Sequence, residues 1–97
     1  MATPVYFYAV SAQIKTVIDR TVARYTKLSG KEIYYILTAA DTNQDMLAKS
    51  AEAFRGFATC LPSSVEKGVV YGGGAWQAGD IKASPAMQKA YDLGSRA

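Results

Sequence analysis

The sequence predicts an α/β protein with a three-stranded parallel sheet, in the order β-α-β-α-β-α. Three observations carry this expectation. Residues Lys31 to Thr38 contain the run Ile33-Tyr34-Tyr35-Ile36-Leu37, apolar on both faces, which fits a buried parallel strand rather than a half-exposed antiparallel one. Segments starting at Ser11 and in Asp41 to Asp45 repeat apolar residues at helical spacing behind candidate N-caps. A further apolar run, Val65 to Tyr71, then ends in Gly72-Gly73-Gly74. Strands that alternate with helices imply parallel pairing through right-handed crossovers.

The first element, around Thr3-Pro4-Val5-Tyr6-Phe7-Tyr8, reads as a strand that runs straight into a helix capped by Ser11. Ile14, Val17, Ile18, Val22 and Tyr25 form the apolar side of that helix, and Lys15, Asp19, Arg20 and Arg24 the polar side, which predicts about four turns. Gly30 is its expected stop. The second helix carries Leu47, Ala51, Phe54, Ala58 and Leu61 inward until Pro62 ends it. Ser84-Pro85 supplies the cap and first-turn residue of a last helix, with Met87, Ala90 and Tyr91 as its expected apolar face.

At 97 residues the chain is one small domain, residues 1–97, with a modest core. A hydrophobic fraction of 49% with 20% charged residues places it outside the disordered class. The net charge of +3 is spread without a basic run, which argues against a nucleic-acid partner. Neither a signal peptide nor an eighteen-residue apolar stretch is present, so no membrane role is expected. A single cysteine, Cys60, fits a reducing compartment and a cytoplasmic location. Its bland reading is a small buried helix residue, the alternative a reactive thiol.

Handedness makes a further demand. Three parallel strands in chain order put the first two helices on one face of the sheet, leaving the other to the last helix alone. The first strand would also present an open apolar edge. The sequence therefore predicts a homo-oligomer built around that edge and the under-covered face.

Several chemistries are excluded. With no histidine and one cysteine there is no Ser-His-Asp or Cys-His pair and no clustered zinc site. No Walker sequence or dinucleotide fingerprint occurs, and Asp41, Asp45 and Asp80 lack the pairing that acid-base work requires. What remains is the carboxyl end of the sheet, where open α/β folds bind ligands. Three loops lie there: Tyr6 to Ser11, Thr38 to Thr42, and Gly72 to Asp80 with Trp76. Their aromatic and small residues suit a flat aromatic ligand. Tyr6, Phe7 and Tyr8 read either as strand-end packing or as ligand contacts, the glycine run as a simple turn or a ligand-contacting loop, and Trp76 as an interface anchor or a lid.

The order Thr3-Pro4-Val5-Tyr6-Phe7-Tyr8, then Ser11-Ala12-Gln13 with Lys15 and Ile18-Asp19-Arg20, closely resembles the third strand and following helix of flavodoxin-like, NAD(P)H-dependent FMN reductases. The iron-sulfur flavoprotein branch looks nearest, and Val69 to Gly74 is also similar to the last strand and its loop. The resemblance implies FMN as cofactor and electron transfer from NAD(P)H through the flavin, with the protein supplying position and electrostatics. It implies flavin contacts at Pro4, Val5, Tyr6, Phe7 and Tyr8, with Ala39, Ala40, Gly72 and Gly73 close to the ring and no catalytic acid or base.

The same resemblance places two strands, two helices and the phosphate-gripping loop ahead of this segment, so the chain is expected to be a truncated, C-terminal half of such a domain. Iron-sulfur ligands would also lie upstream, and Cys60 alone cannot replace them. Without the phosphate site, FMN affinity is expected to fall roughly a thousandfold. The alternative function is a non-catalytic remnant that folds as a homo-oligomer without cofactor.

Overall fold

The computed structural model describes residues 1–97 and contains four strands and three helices. In chain order they are β1 (Ala2–Tyr6), β2 (Ala9–Val10), α1 (Ala12–Arg20), β3 (Glu32–Thr38), α2 (Gln44–Cys60), β4 (Val65–Gly72) and α3 (Pro85–Ser95). The sheet order is β2-β1-β3-β4, with β1, β3 and β4 parallel and β2 antiparallel to β1. The three expected strands are present in the expected arrangement. The fourth corrects the expectation of three: the chain turns back at Phe7-Tyr8 and pairs Val10 with Val5 and Ala9 with Tyr6 before α1 begins.

The core forms between the sheet and the two crossover helices. Ile33, Tyr35 and Leu37 of β3 are buried against Ala51, Phe54 and Leu61, while Ile14 and Ile18 of α1 pack against the same cluster. Both crossover helices thus lie on one face, as right-handed connections require. Tyr35 and Phe54 stack with ring centroids 5.3 Å apart, and both are fully buried. The opposite face is thinner. There α3 covers β4, with Leu93 against Gly68, but Ile36 at the centre of β3 keeps 38% of its surface exposed, and Ala2 and Pro4 beside it are exposed. The run from Ile33 to Leu37 is apolar on both faces but buried on only one.

Three helix details differ from expectation. Ser11 caps α1, its hydroxyl accepting from the Ile14 N–H, but the helix ends at Arg20 rather than near Tyr25. Thr21 and Val22 are β-branched, and the Thr21 hydroxyl donates to the Ile18 carbonyl at 2.7 Å, so the backbone tightens into i−3 bonds and leaves the helix. Gly30 therefore stops no helix; at φ +64° it turns the chain into β3, donating its N–H to the Pro62 carbonyl. In α3 the inward residues are Ala86, Ala90 and Leu93, whereas Met87 and Tyr91 face solvent.

Cys60 is exposed at the end of α2, not buried. The inward stripe of α2 passes through Leu47, Ser50, Ala51 and Phe54, and position 60 falls outside it. The open edge of β1 is also shorter than expected, because β2 occupies it at Val5 and Tyr6. Only Ala2 to Pro4 remain, and Pro4 has no N–H to offer a further strand.

Candidate functional site

The loops after β1, β3 and β4 meet at the carboxyl end of the parallel strands. The first is a two-residue hairpin turn whose central residues, Phe7 and Tyr8, have φ of +50° and +58°. Such turns match the twist of paired strands and normally use glycine or asparagine. A non-glycine residue held there costs on the order of 1 kcal/mol or more. The turn persists because its neighbours fix it: β2 pairs with β1, and the buried hydroxyl of Thr3 accepts the Ser11 N–H at 2.9 Å. One consequence is that Phe7 projects fully into solvent, while Tyr6 and Tyr8 remain largely exposed.

The second loop centres on Asp41. One carboxylate oxygen accepts the Asn43 N–H at 2.8 Å, and the other accepts the Tyr8 hydroxyl at 2.7 Å. These two donors, the Asn43 amide first, hold the Asp41 carboxyl below the usual carboxylate range. Its hydrogen bond and negative charge in turn push the Tyr8 phenol upward. Asn43 caps α2 by accepting from the Asp45 and Met46 N–H groups.

The third loop is tied to the second by backbone alone. Ala75 donates to the Ala39 carbonyl at 2.8 Å and Gly74 to the Asp41 carbonyl at 3.2 Å. Gly73 lies so close that a Cβ there would sit 2.7 Å from the Asp41 carbonyl oxygen, so the approach requires glycine. Beyond it, the Asp80 carboxylate accepts the N–H groups of Trp76 and Gln77, which shapes the loop and leaves the Trp76 side chain 79% exposed.

Val5, Phe7, Tyr8, Ala39 and Ala40 line an open cavity of about 240 Å³ together with Asp41 and Leu47. Gly73 adjoins it through its contacts with Asp41 and Leu47, and Gly72 pairs with Thr38 behind it. Five of the nine residues singled out from sequence thus share a wall. Pro4 and Tyr6 do not, because alternate residues of a strand point to opposite sides. They line a separate groove between β1 and α1 with Ala2, Ser11, Gln13, Ile14 and Val17. Sequence reasoning did not single out Asp41 for the site, seeing it as a cap candidate, a loop residue and an unpaired carboxylate; its spacing of two residues before Asn43 marks a side-chain-to-backbone turn, but nothing local reveals the contact with Tyr8.

The chain is similar to known proteins. The family model described as NADPH-dependent FMN reductase matches residues 1–77. A solved structure of Trp repressor binding protein from Bacillus subtilis is similar over 98% of this chain, at 26% identity and a TM-score of 0.83. This chain spans 66% of the length of that one. No curated protein matches.

Proposed function

The chain belongs to the NADPH-dependent FMN reductase family, and from that membership we propose that it is a flavodoxin-like domain that receives the flavin ring at the carboxyl end of its sheet. The observation that carries this reading is the cavity beneath the Phe7-Tyr8 turn, walled by Val5, Ala39, Ala40 and Leu47 and flanked by freely exposed aromatic groups. Apolar walls and aromatic faces suit the ring. When bound, FMN supplies the hydride and electron chemistry between NAD(P)H and an acceptor. The chain's own residues bind and orient: Phe7 and Tyr8 offer aromatic surface, Ala39 and Ala40 allow close approach, and Gly73 keeps the third loop against the second.

The fit is one-sided. A phosphate needs free N–H groups at a helix N-terminus or a nest, with positive charge nearby. At α2 the Asn43 side chain accepts the Asp45 and Met46 N–H groups, and Asp41 and Asp45 add negative charge; at α1 Ser11 accepts only the Ile14 N–H, but Lys15 beside it is paired with Asp19; at α3 Pro85 has no N–H to offer and Ser84 accepts that of Ala86. The residues present therefore fit the ring and not the phosphate. This supports a truncated domain that grips FMN weakly by itself. A homo-oligomer and a cytoplasmic setting belong to the same proposal; no helix here is long and apolar enough to cross a membrane. The thin coverage of Ile36, Ala2 and Pro4 supports a second body on that face, while the short free edge of β1 favours contact through the face over strand pairing.

Parallel titrations of flavin fluorescence with FMN and with lumiflavin, which has the ring without the phosphate, test the reading. Both are expected to bind, with affinities within about threefold of each other, since a phosphate without charge-assisted partners adds little. Fluorescence that neither ligand changes would leave the cofactor-free remnant as the better description.

A further inference from the structure

The Phe7-Tyr8 turn combines an unfavourable backbone with an exposed position, and the single side-chain bond tying it to the rest of the carboxyl-end loops is the one from the Tyr8 hydroxyl to Asp41. Asp41 is also where the three loops converge. Its carboxylate takes Tyr8 from the first loop and the Asn43 N–H from its own, while its carbonyl takes the Gly74 N–H from the third. A residue with no place in flavin chemistry thus fixes the relative positions of every segment around the cavity. We propose that Asp41 is a positioning residue for the ring site, and that its bond to Tyr8 is a latch that selects the left-handed turn over an open hairpin.

The latch acts through populations. Two adjacent left-handed aromatic residues do not hold themselves, and β2 contributes only two residue pairs. Without the latch, Phe7 and Tyr8 relax toward ordinary backbone angles and the wall of the cavity moves away from Ala39 and Ala40. A ligand that requires the latched form then binds more weakly in proportion to the fraction of molecules still latched. Tyr8 and Asp41 both line the cavity, so the same bond holds two parts of its wall together. This inference rests on the ring-binding reading for its function, while the latch itself can be judged without any ligand.

Two measurements on the full chain separate the two. Hydrogen exchange of the β1–β2 amides is compared in the parent chain, Tyr8→Phe, Asp41→Ala and the double variant. Tyr8→Phe removes only the hydroxyl and keeps the ring. Each single variant is expected to lose about tenfold protection at residues 5–10 with the β3–β4 amides unchanged, and the double variant to lose no more than the worse single one. Unchanged exchange at the turn in Tyr8→Phe overturns the latch, whatever flavin does. Lumiflavin affinity is then measured on the same proteins, with a drop of about tenfold expected in both singles. If the parent binds lumiflavin and the variants bind equally well, Asp41 does not position the site. If the parent does not bind it, the ring-binding reading fails, and the exchange data alone decide whether the latch exists.

Discussion

Replacing Gly73 by alanine probes the contact on which the site's shape depends. A Cβ at that position would lie 2.7 Å from the Asp41 carbonyl oxygen and 3.2 Å from the Thr42 Cα. Both are backbone atoms, so no side chain can rotate away; the second and third loops must separate by several tenths of an ångström. That movement strains the Gly74-to-Asp41 and Ala75-to-Ala39 hydrogen bonds. The cost should match other cases of overpacking, about 2 kcal/mol, which for a domain of this size lowers Tm by roughly 8–16 °C. Circular dichroism melts at fixed protein concentration provide the readout, with two companions as internal scale. In Gly72→Ala the nearest atom is the Ile81 Cδ1 at 2.6 Å, the end of a flexible side chain, so a loss of only about 1 kcal/mol is expected. Gly56 lies within α2 with no atom beyond its own turns of helix within 4 Å of where a Cβ would stand, and alanine there should raise stability by about 0.5–1 kcal/mol. A Gly73→Ala protein that melts at or above the parent, or loses no more than Gly72→Ala, would refute the account of this contact.

Acid should weaken the loops before the core. Asp41 is held below its usual range, so its contribution is full above the pKa of an unfolded aspartate, about 4, and disappears as pH falls through the lower native value. Melts between pH 5 and pH 2.5 should show a shallower loss of Tm in Asp41→Asn than in the parent. Arg55 forks onto Glu66 through Nε at 2.8 Å and a terminal nitrogen at 3.1 Å, and it holds the Glu66 carboxyl below its usual range. Both side chains are about a third exposed, so Glu66→Gln should cost only about 0.5–1 kcal/mol, with the difference shrinking in 1 M salt, about a 3 Å screening length. Phe54→Ala removes the ring stacked on Tyr35 and should cost about 3–5 kcal/mol, enough to leave much of the chain unfolded in a urea titration; Phe54→Leu should retain a cooperative transition.

The parts of the fold that periodicity and handedness control were legible in the sequence. Ile33 to Leu37, the Leu47-Ala51-Phe54 stripe and the caps at Ser11 and Ser84 each state a local preference that packing then reinforces. Crossover handedness also foretold which face would be thinly covered, and Ile36 lies there. The features that escaped depend on competition or distance. β2 required a turn without glycine, which local propensity argues against and the strand pairing with Val5 and Tyr6 overrides. The early end of α1 came from Thr21 and Val22, where β-branching outweighs an apolar spacing that continues to Tyr25. Met87 and Tyr91 look like an inward face until Leu93 and Ala90 claim the contact with β4. At the candidate site, residue types pointed to loops that the fold does bring together, but strand alternation divides Pro4 and Tyr6 from Val5, and the bond from Tyr8 to Asp41 joins positions 33 residues apart.

The position of Cys60 has a practical consequence. Helix α2 begins beside the carboxyl-end loops and runs 17 residues, about 25 Å, to a lone accessible thiol at its far end. A maleimide dye attached there would stand well away from the Tyr8 and Asp41 contact, while lying on the groove that α1 and the turn after it share with α2, lined by Ile18, Val22 and Phe57. One labelled position thus serves as a native reporter: changes in its anisotropy would follow association between chains, while flavin quenching follows the opposite end of the same helix.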